Sequence, residues 1–152
     1  MIKEYKFSYR HYGSLGELEA QDGQLVAAAR EACVTAYAPY SNFRVGTAAR
    51  LNSGRVLTAS NQESEVLPAG ICAERNLLYY HQANFAEDPI TAIAMVSDSG
   101  SGECYPCGMC RQVLTDSQRR QGSPIRVIMA GGGSATVVDS ACDLMPFMFR
   151  HE

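Results

Sequence analysis

Apolar residues recur at helical spacing between Gln24 and Tyr37, in an Ala-rich stretch that predicts a helix, and Pro39 ends it. The pattern then changes period. Phe43 to Leu51 and Arg55 to Ala59 read as two strands joined by the tight turn Asn52-Ser53-Gly54, hence a hairpin. Strong helix formers follow from Cys72 to Asn84. Ile90 to Val96 is a short continuous apolar run, the mark of a buried strand. A further helix is predicted from Gly108 to Gln121, then strands at Ile125 to Met129 and Ala135 to Val138. Gly131-Gly132-Gly133 forms the turn between them, and Asp143 to Phe149 is left as a last helical turn or tail.

The order is helix, two strands, helix, strand, helix, strand, strand. It predicts an α/β fold, a three-layer α/β/α arrangement with a mixed five-stranded sheet. The 152 residues are read as one domain, with residues 1–23 as an N-terminal extension of unassigned role.

Composition narrows the function. The net charge is -3, and Lys and Arg are scattered, so there is no basic stripe to suit nucleic acid or a membrane surface. No apolar run approaches the roughly 20 residues that cross a bilayer. The charged start, Met1 to Lys6, does not read as a secretory signal, so a cytoplasmic setting is expected. In a reducing compartment, clustered cysteines bind metal or stay free. Cys33 and Cys142, isolated among apolar neighbours, read as buried free thiols.

The other cysteines carry the chemistry. Cys72 and Cys107 both fall at predicted helix starts, where unpaired N–H groups and the helix dipole favour a thiolate. With Cys110 they offer three sulfurs, which fill three positions of a tetrahedral zinc and leave one open for water. Glu74, two residues from Cys72, can move that water's proton. Glu also suits the first turn of any helix, so position, not residue type, marks Glu74 out. Three thiolates leave zinc's ligand shell with excess negative charge, and Arg75 stands where it can offset it. Gly108 is expected to ease the tight return of the chain onto the metal. Asn61 and Glu63 alternate at a strand end, so they face the same way and can grip a sugar hydroxyl as donor and acceptor.

The run Cys72-Ala73-Glu74, then Pro106-Cys107-Gly108-Met109-Cys110, resembles the zinc deaminases of nucleosides and nucleobases. With Tyr40 to Gly46, Asn61-Gln62-Glu63 and Gly70 to Arg75 in order, roughly Leu25 to Phe149 looks like the small homotetrameric cytidine deaminases. The resemblance implies one zinc per subunit held by Cys72, Cys107 and Cys110, and catalysis by Glu74. It implies hydrogen bonds from Arg75 to ligand sulfurs, and substrate contacts from Phe43, Asn61, Glu63, the Ala73 backbone and Phe149. The expected substrate is cytidine or deoxycytidine, in pyrimidine salvage, with a homotetramer or homodimer as the assembly. Arg111 and Gln112 are assigned to a helix surface or subunit contact, and Cys104 is read as a bystander.

Two alternatives stand beside this reading. One is a deaminase of a related aminopyrimidine nucleoside, of the blasticidin type. The other is a non-catalytic protein, in which Cys104 joins Cys107, Cys110 and Cys72 in a closed zinc or iron–sulfur site. The chain departs from the family at Ser64-Glu65-Val66-Leu67, where Leu67 replaces a Tyr that reaches toward a neighbouring subunit.

Overall fold

The computed structural model describes residues 1–100 and 102–151. Its elements run β1 (Arg10–Tyr12), α1 (Ala20–Ala32), β2 (Val45–Leu51), β3 (Val56–Ser60), α2 (Ala73–Asn84), β4 (Ile90–Ser97), α3 (Gly108–Gln121), β5 (Arg126–Gly131) and β6 (Ser134–Val138). The strands form one sheet of order β1-β6-β5-β4-β2-β3. Among the described strand pairs, β4 with β5 is parallel and the others are antiparallel. The α/β, mixed-sheet expectation holds, but the sheet has six strands and not five. The extra strand comes from the extension: Arg10, His11 and Tyr12 pair antiparallel with Val137, Thr136 and Ala135 of β6.

Strand alternation sorts side chains into two layers. Ile93 and Met95 of β4 and Val127 and Met129 of β5 face α2 and α3, where Leu77, Leu78 and Leu114 pack on them. Ala92, Ala94 and Val96 of β4 and Ile128 and Ala130 of β5 face the other way, against Leu25, Val26 and Ala29 of α1. The α1 side is rich in alanine, so that helix lies close to the sheet. At Gly46 the approach is closest: a Cβ there would sit 1.9 Å from the Ala29 carbonyl oxygen and 2.7 Å from the Cys33 nitrogen.

α1 begins four residues before the predicted Gln24, because Asp22 and Gly23 interrupt the apolar pattern. Asp22 is nonetheless buried. Its carboxylate accepts from Arg126 Nε and Nη2 at 3.0 and 2.7 Å, and Arg50 Nη2 lies 3.6 Å away. Buried carboxylates require such partners. At the chain's end a short 3₁₀ turn spans Ala141–Leu144, and Asp143 to Phe149 forms no longer helix.

Candidate active site

Both α2 and α3 begin beside the end of the sheet where Val45 of β2 pairs with Ser97 of β4. Cys72 and Cys107 occupy the N-cap positions of these helices with extended backbone and make no side-chain capping bond. An N-cap is ordinarily filled by Ser, Thr, Asp or Asn. Here cysteine leaves the first-turn N–H groups and the dipole directed at sulfur. Gly108 sits in open space, so a side chain there would meet nothing, and the return of the chain does not depend on that glycine.

The sulfurs of Cys72, Cys107 and Cys110 lie within 4.8 Å of one another, and Cys72 and Cys107 are 3.9 Å apart. Tetrahedral zinc with ~2.3 Å bonds to sulfur sets its sulfurs about 3.8 Å apart. The donor set and its spacing therefore fit zinc with one position left open. Among the described residues this is the one such cluster.

The electrostatics follow from crowding. The neighbouring Cys110 thiol first, and the Arg75 Nη2 donor at 3.6 Å after it, favour a negative charge on the Cys72 sulfur, so that thiol is lowered to about 5. Cys110 moves the opposite way, since Cys72 already holds the negative charge the thiols share. Glu74 is buried, and its Oε2 lies 3.5 Å from Cys110 Sγ. Burial first, and the Cys72 thiolate next, push its carboxyl up. Burial disfavours the Arg75 charge, but hydrogen bonds to Cys72 and Cys110 outweigh that and raise its pKa.

A cavity of about 240 Å³ opens beside the cluster. Cys72, Cys107 and Glu74 form one end, Ser41, Asn61 and Glu63 contribute polar groups, and Phe43 and Tyr105 bring aromatic rings. Val45, Ala73 and Cys104 pack together beneath them. The structure thus gathers Phe43, Asn61, Glu63, Ala73 and Glu74 around one space.

Asn61 and Glu63 face the same way, while Gln62 points back to Thr35 and Ser60. Asn61 is also structural: its Oδ1 accepts from the Val45 N–H and its Nδ2 donates to the Phe43 carbonyl, both at 2.8 Å. That fixes the Phe43 segment and leaves one N–H and one lone pair for a ligand. Glu63 Oε1 accepts from the backbone of Tyr40 and Ser41, and hydrogen bonding from Ser41 holds the carboxyl below its ordinary value. A neighbouring cavity shares Asn61, Glu63 and Cys72 and is walled by Ser64, Leu67 and Arg75.

Phe149 is not brought to this space. It is 70% exposed, its carbonyl accepts from Gln112 on the outer side of α3, and its ring meets that of His151. Arg111, expected at a surface or subunit contact, instead ties the loop before α3 to the C-terminal segment, donating to the carbonyls of Pro106 and Leu144. Cys104 is buried against the cavity with its thiol pushed up to about 12 by burial, and its sulfur is not among the three that cluster. Gly131 lets this loop approach: a Cβ there would lie 2.1 Å from the Gly102 carbonyl oxygen. Tyr105 is the wall residue that motif spacing did not single out. Its place directly before Pro106-Cys107 was the available signal.

Fold and site together define an α/β protein whose three cysteines would hold one zinc between two helix N-termini, with a buried carboxylate beside the sulfurs. Residues 19–122 match the family model described as the cytidine and deoxycytidylate deaminase zinc-binding region. The chain belongs to that family. It is 37% identical over 92 residues to a cytidine deaminase of Halalkalibacterium halodurans, covering 60% of this chain and 68% of the relative. It is 39% identical over 89 residues to one of Mycobacterium tuberculosis, covering 58% and 65%. The crystal structure of cytidine deaminase from Burkholderia pseudomallei superimposes with a TM-score of 0.73 at 37% identity, over 87% of this chain and 100% of that one.

Proposed function

We propose that this protein hydrolyses cytidine and deoxycytidine to uridine and deoxyuridine, releasing ammonia. The observation that carries the reading is the buried Glu74 carboxylate, 3.5 Å from Cys110 within the three-sulfur cluster and opening on the same cavity as Asn61 and Glu63. Cys72, Cys107 and Cys110 hold the zinc, one per chain, and the metal supplies Lewis acidity that lowers the pKa of a water.

The chain's own groups do the rest. Asn61 and Glu63 bind a ribose hydroxyl, using the N–H and the carboxylate oxygen that the backbone leaves free. Phe43 packs on the base, and the first-turn N–H of Ala73 donates to the base edge. Glu74 takes a proton from the attacking water and delivers it to N3. Addition of the water oxygen to C4 leaves a hydroxyl and an amino group on that carbon. Glu74 then takes the hydroxyl proton and passes it to the amino nitrogen, so that the C4–N bond breaks, the C4 carbonyl forms and ammonia leaves. A carboxyl with a raised pKa suits both halves of that cycle. Arg75 withdraws charge from the Cys72 sulfur. The exposed Phe149, Phe147 and Leu67 favour an assembly, which we take to be a homotetramer. Among the described residues no helix is long and apolar enough to cross a membrane, and we place the activity in cytoplasmic pyrimidine salvage.

The test is Glu74→Gln. It should retain zinc, keep its melting temperature and lose about 10²–10⁴-fold in kcat on cytidine, the worth of one positioned proton carrier. Wild-type turnover in that variant would remove Glu74 from the mechanism.

A further inference from the structure

We propose that Tyr105 sets specificity for the base, its ring closing the cavity beside the pyrimidine edge, and that the N-terminal strand holds it there through Glu103. This rests on the deaminase reading above. Tyr105 lines the cavity yet is 56% exposed, so its ring presents free surface to a bound ligand, as does Phe43 at 45%. A tyrosine placed merely at the surface needs no anchor, but this one is tethered through its hydroxyl. Its hydroxyl donates to Glu103 Oε2 at 2.9 Å.

Glu103 is itself held. Its side chain is only 6% exposed, and Ser134 of β6 donates to its Oε1 at 2.6 Å. His11 of β1 places Nδ1 3.4 Å from the same oxygen and 3.2 Å from Thr136 Oγ1. The flanking backbone is pinned too: the Cys104 N–H donates to the Ala130 carbonyl, and the Pro106 carbonyl accepts from Arg111. The extension, which lies ahead of the stretch matched to the family model, thus connects through His11, Glu103 and Tyr105 to the wall of the cavity.

The chemistry says which edge of the base it meets. The reacting carbon C4 has two ring neighbours. Glu74, on α2, serves N3. The other neighbour, C5, then faces the segment from Cys104 to Cys107 that closes the cavity from the α3 side, and Tyr105 belongs to that segment. A rigid ring there admits hydrogen at C5 and resists a larger substituent.

The experiment compares kcat/KM for cytidine and 5-bromocytidine in zinc-loaded wild type, Tyr105→Ala, Tyr105→Phe and Glu103→Ala, with melting temperatures to certify folding. Wild type should prefer cytidine. Tyr105→Ala should narrow the preference about tenfold or more, the scale on which a pocket reads small apolar differences. Tyr105→Phe retains the ring and should keep most of the preference, and Glu103→Ala, which frees the ring, should fall between. An unchanged preference in folded Tyr105→Ala, with wild type active on cytidine, overturns the inference alone. A zinc-loaded wild type inactive on both nucleosides overturns the deaminase reading and this inference with it.

Discussion

Replacing Arg75 with glutamine removes a positive charge from a sulfur that is to bind zinc, and the structure fixes how much that should matter. Arg75 Nη2 lies 3.6 Å from Cys72 Sγ. At an effective dielectric of ~20, a unit pair at that distance interacts by about 4–5 kcal/mol. Removing the guanidinium from water offsets much of this. The measured worth of a hydrogen bond to a charged group, about 1.5–3 kcal/mol, is the better guide. Without Arg75 the thiolate donates more charge to the metal, and the water becomes a weaker acid. If that loss is felt in the transition state, kcat falls roughly 10- to 150-fold at 1.36 kcal/mol per decade.

Zinc should stay bound, because the three sulfurs are untouched and a more electron-rich thiolate is no weaker a ligand. The assay is ultraviolet turnover of cytidine with zinc content measured on the same sample. Arg75→Lys keeps a charge but loses the planar fork, so it should recover only part of the rate. Arg75→Gln with full zinc and kcat within about twofold of wild type would refute the reasoning and leave Arg75 an ordinary helix arginine. Arg75 Nε is buried with no hydrogen-bond partner among the described residues, while Nη2 of the same group reaches Cys72 Sγ.

Gly46→Ala drives a Cβ into the backbone of Ala29 and Cys33, which no side-chain rotation relieves. Stability in urea should drop by about 3 kcal/mol, and a drop under 1 would mean that α1 shifts freely. Asp22→Asn leaves Arg126 facing a neutral amide in a buried site, and chemical denaturation should show a loss of about 3 kcal/mol, the lower end for a broken buried pair. A negligible loss would mark that pair as solvent-screened. Asp139→Asn tests pH linkage. The hydrogen bond from Arg10 is the main reason the Asp139 carboxyl lies below its ordinary 3.8, so its contribution is present above that pH and fades as the pH falls through the lower folded value. Being mostly exposed, it should amount to about 0.5–1 kcal/mol at pH 7. The stabilities of wild type and variant should converge in acid, and a constant gap down to pH 2 would contradict the assignment.

The parts of the fold that follow a simple period were legible in the sequence. α3 matches its predicted span from Gly108 to Gln121, and β4 differs from its predicted span by one residue. The metal cluster was legible because ligands held on helix starts must recur at fixed spacing. What escaped depends on distant pairing. β1 is three residues with no alternating pattern, and it exists because β6 offers its free edge. The start of α1 was hidden because Asp22 is a polar residue in a core position, paid for by arginines at positions 50 and 126. Phe149 follows a segment without regular structure, so no periodicity fixes its direction. Tyr105 carries no period or motif of its own, and its anchor Glu103 meets Ser134 and His11 only because β1 pairs with β6.

The site's central difficulty is that it gathers negative charge. Three thiols and a carboxylic acid share a few ångströms, with Cys110 and Glu74 buried, and without compensation each would prefer its proton. Two helix N-termini, left uncapped by Cys72 and Cys107, and the Arg75 guanidinium supply the compensation built into the chain. They make thiolate accessible at Cys72, which is the form a metal takes up. Glu74 receives less of that help. It lies deeper than Cys72, beside the sulfurs and away from solvent, so the field that favours metal binding at the cysteines keeps its carboxyl ready to hold a proton. Exposing Glu74 to water would lower its pKa toward an ordinary carboxylate and leave it a weaker base toward the attacking water. The crowding that costs the apoprotein stability is therefore the same arrangement that fits Glu74 for proton transfer, and relieving one should weaken the other.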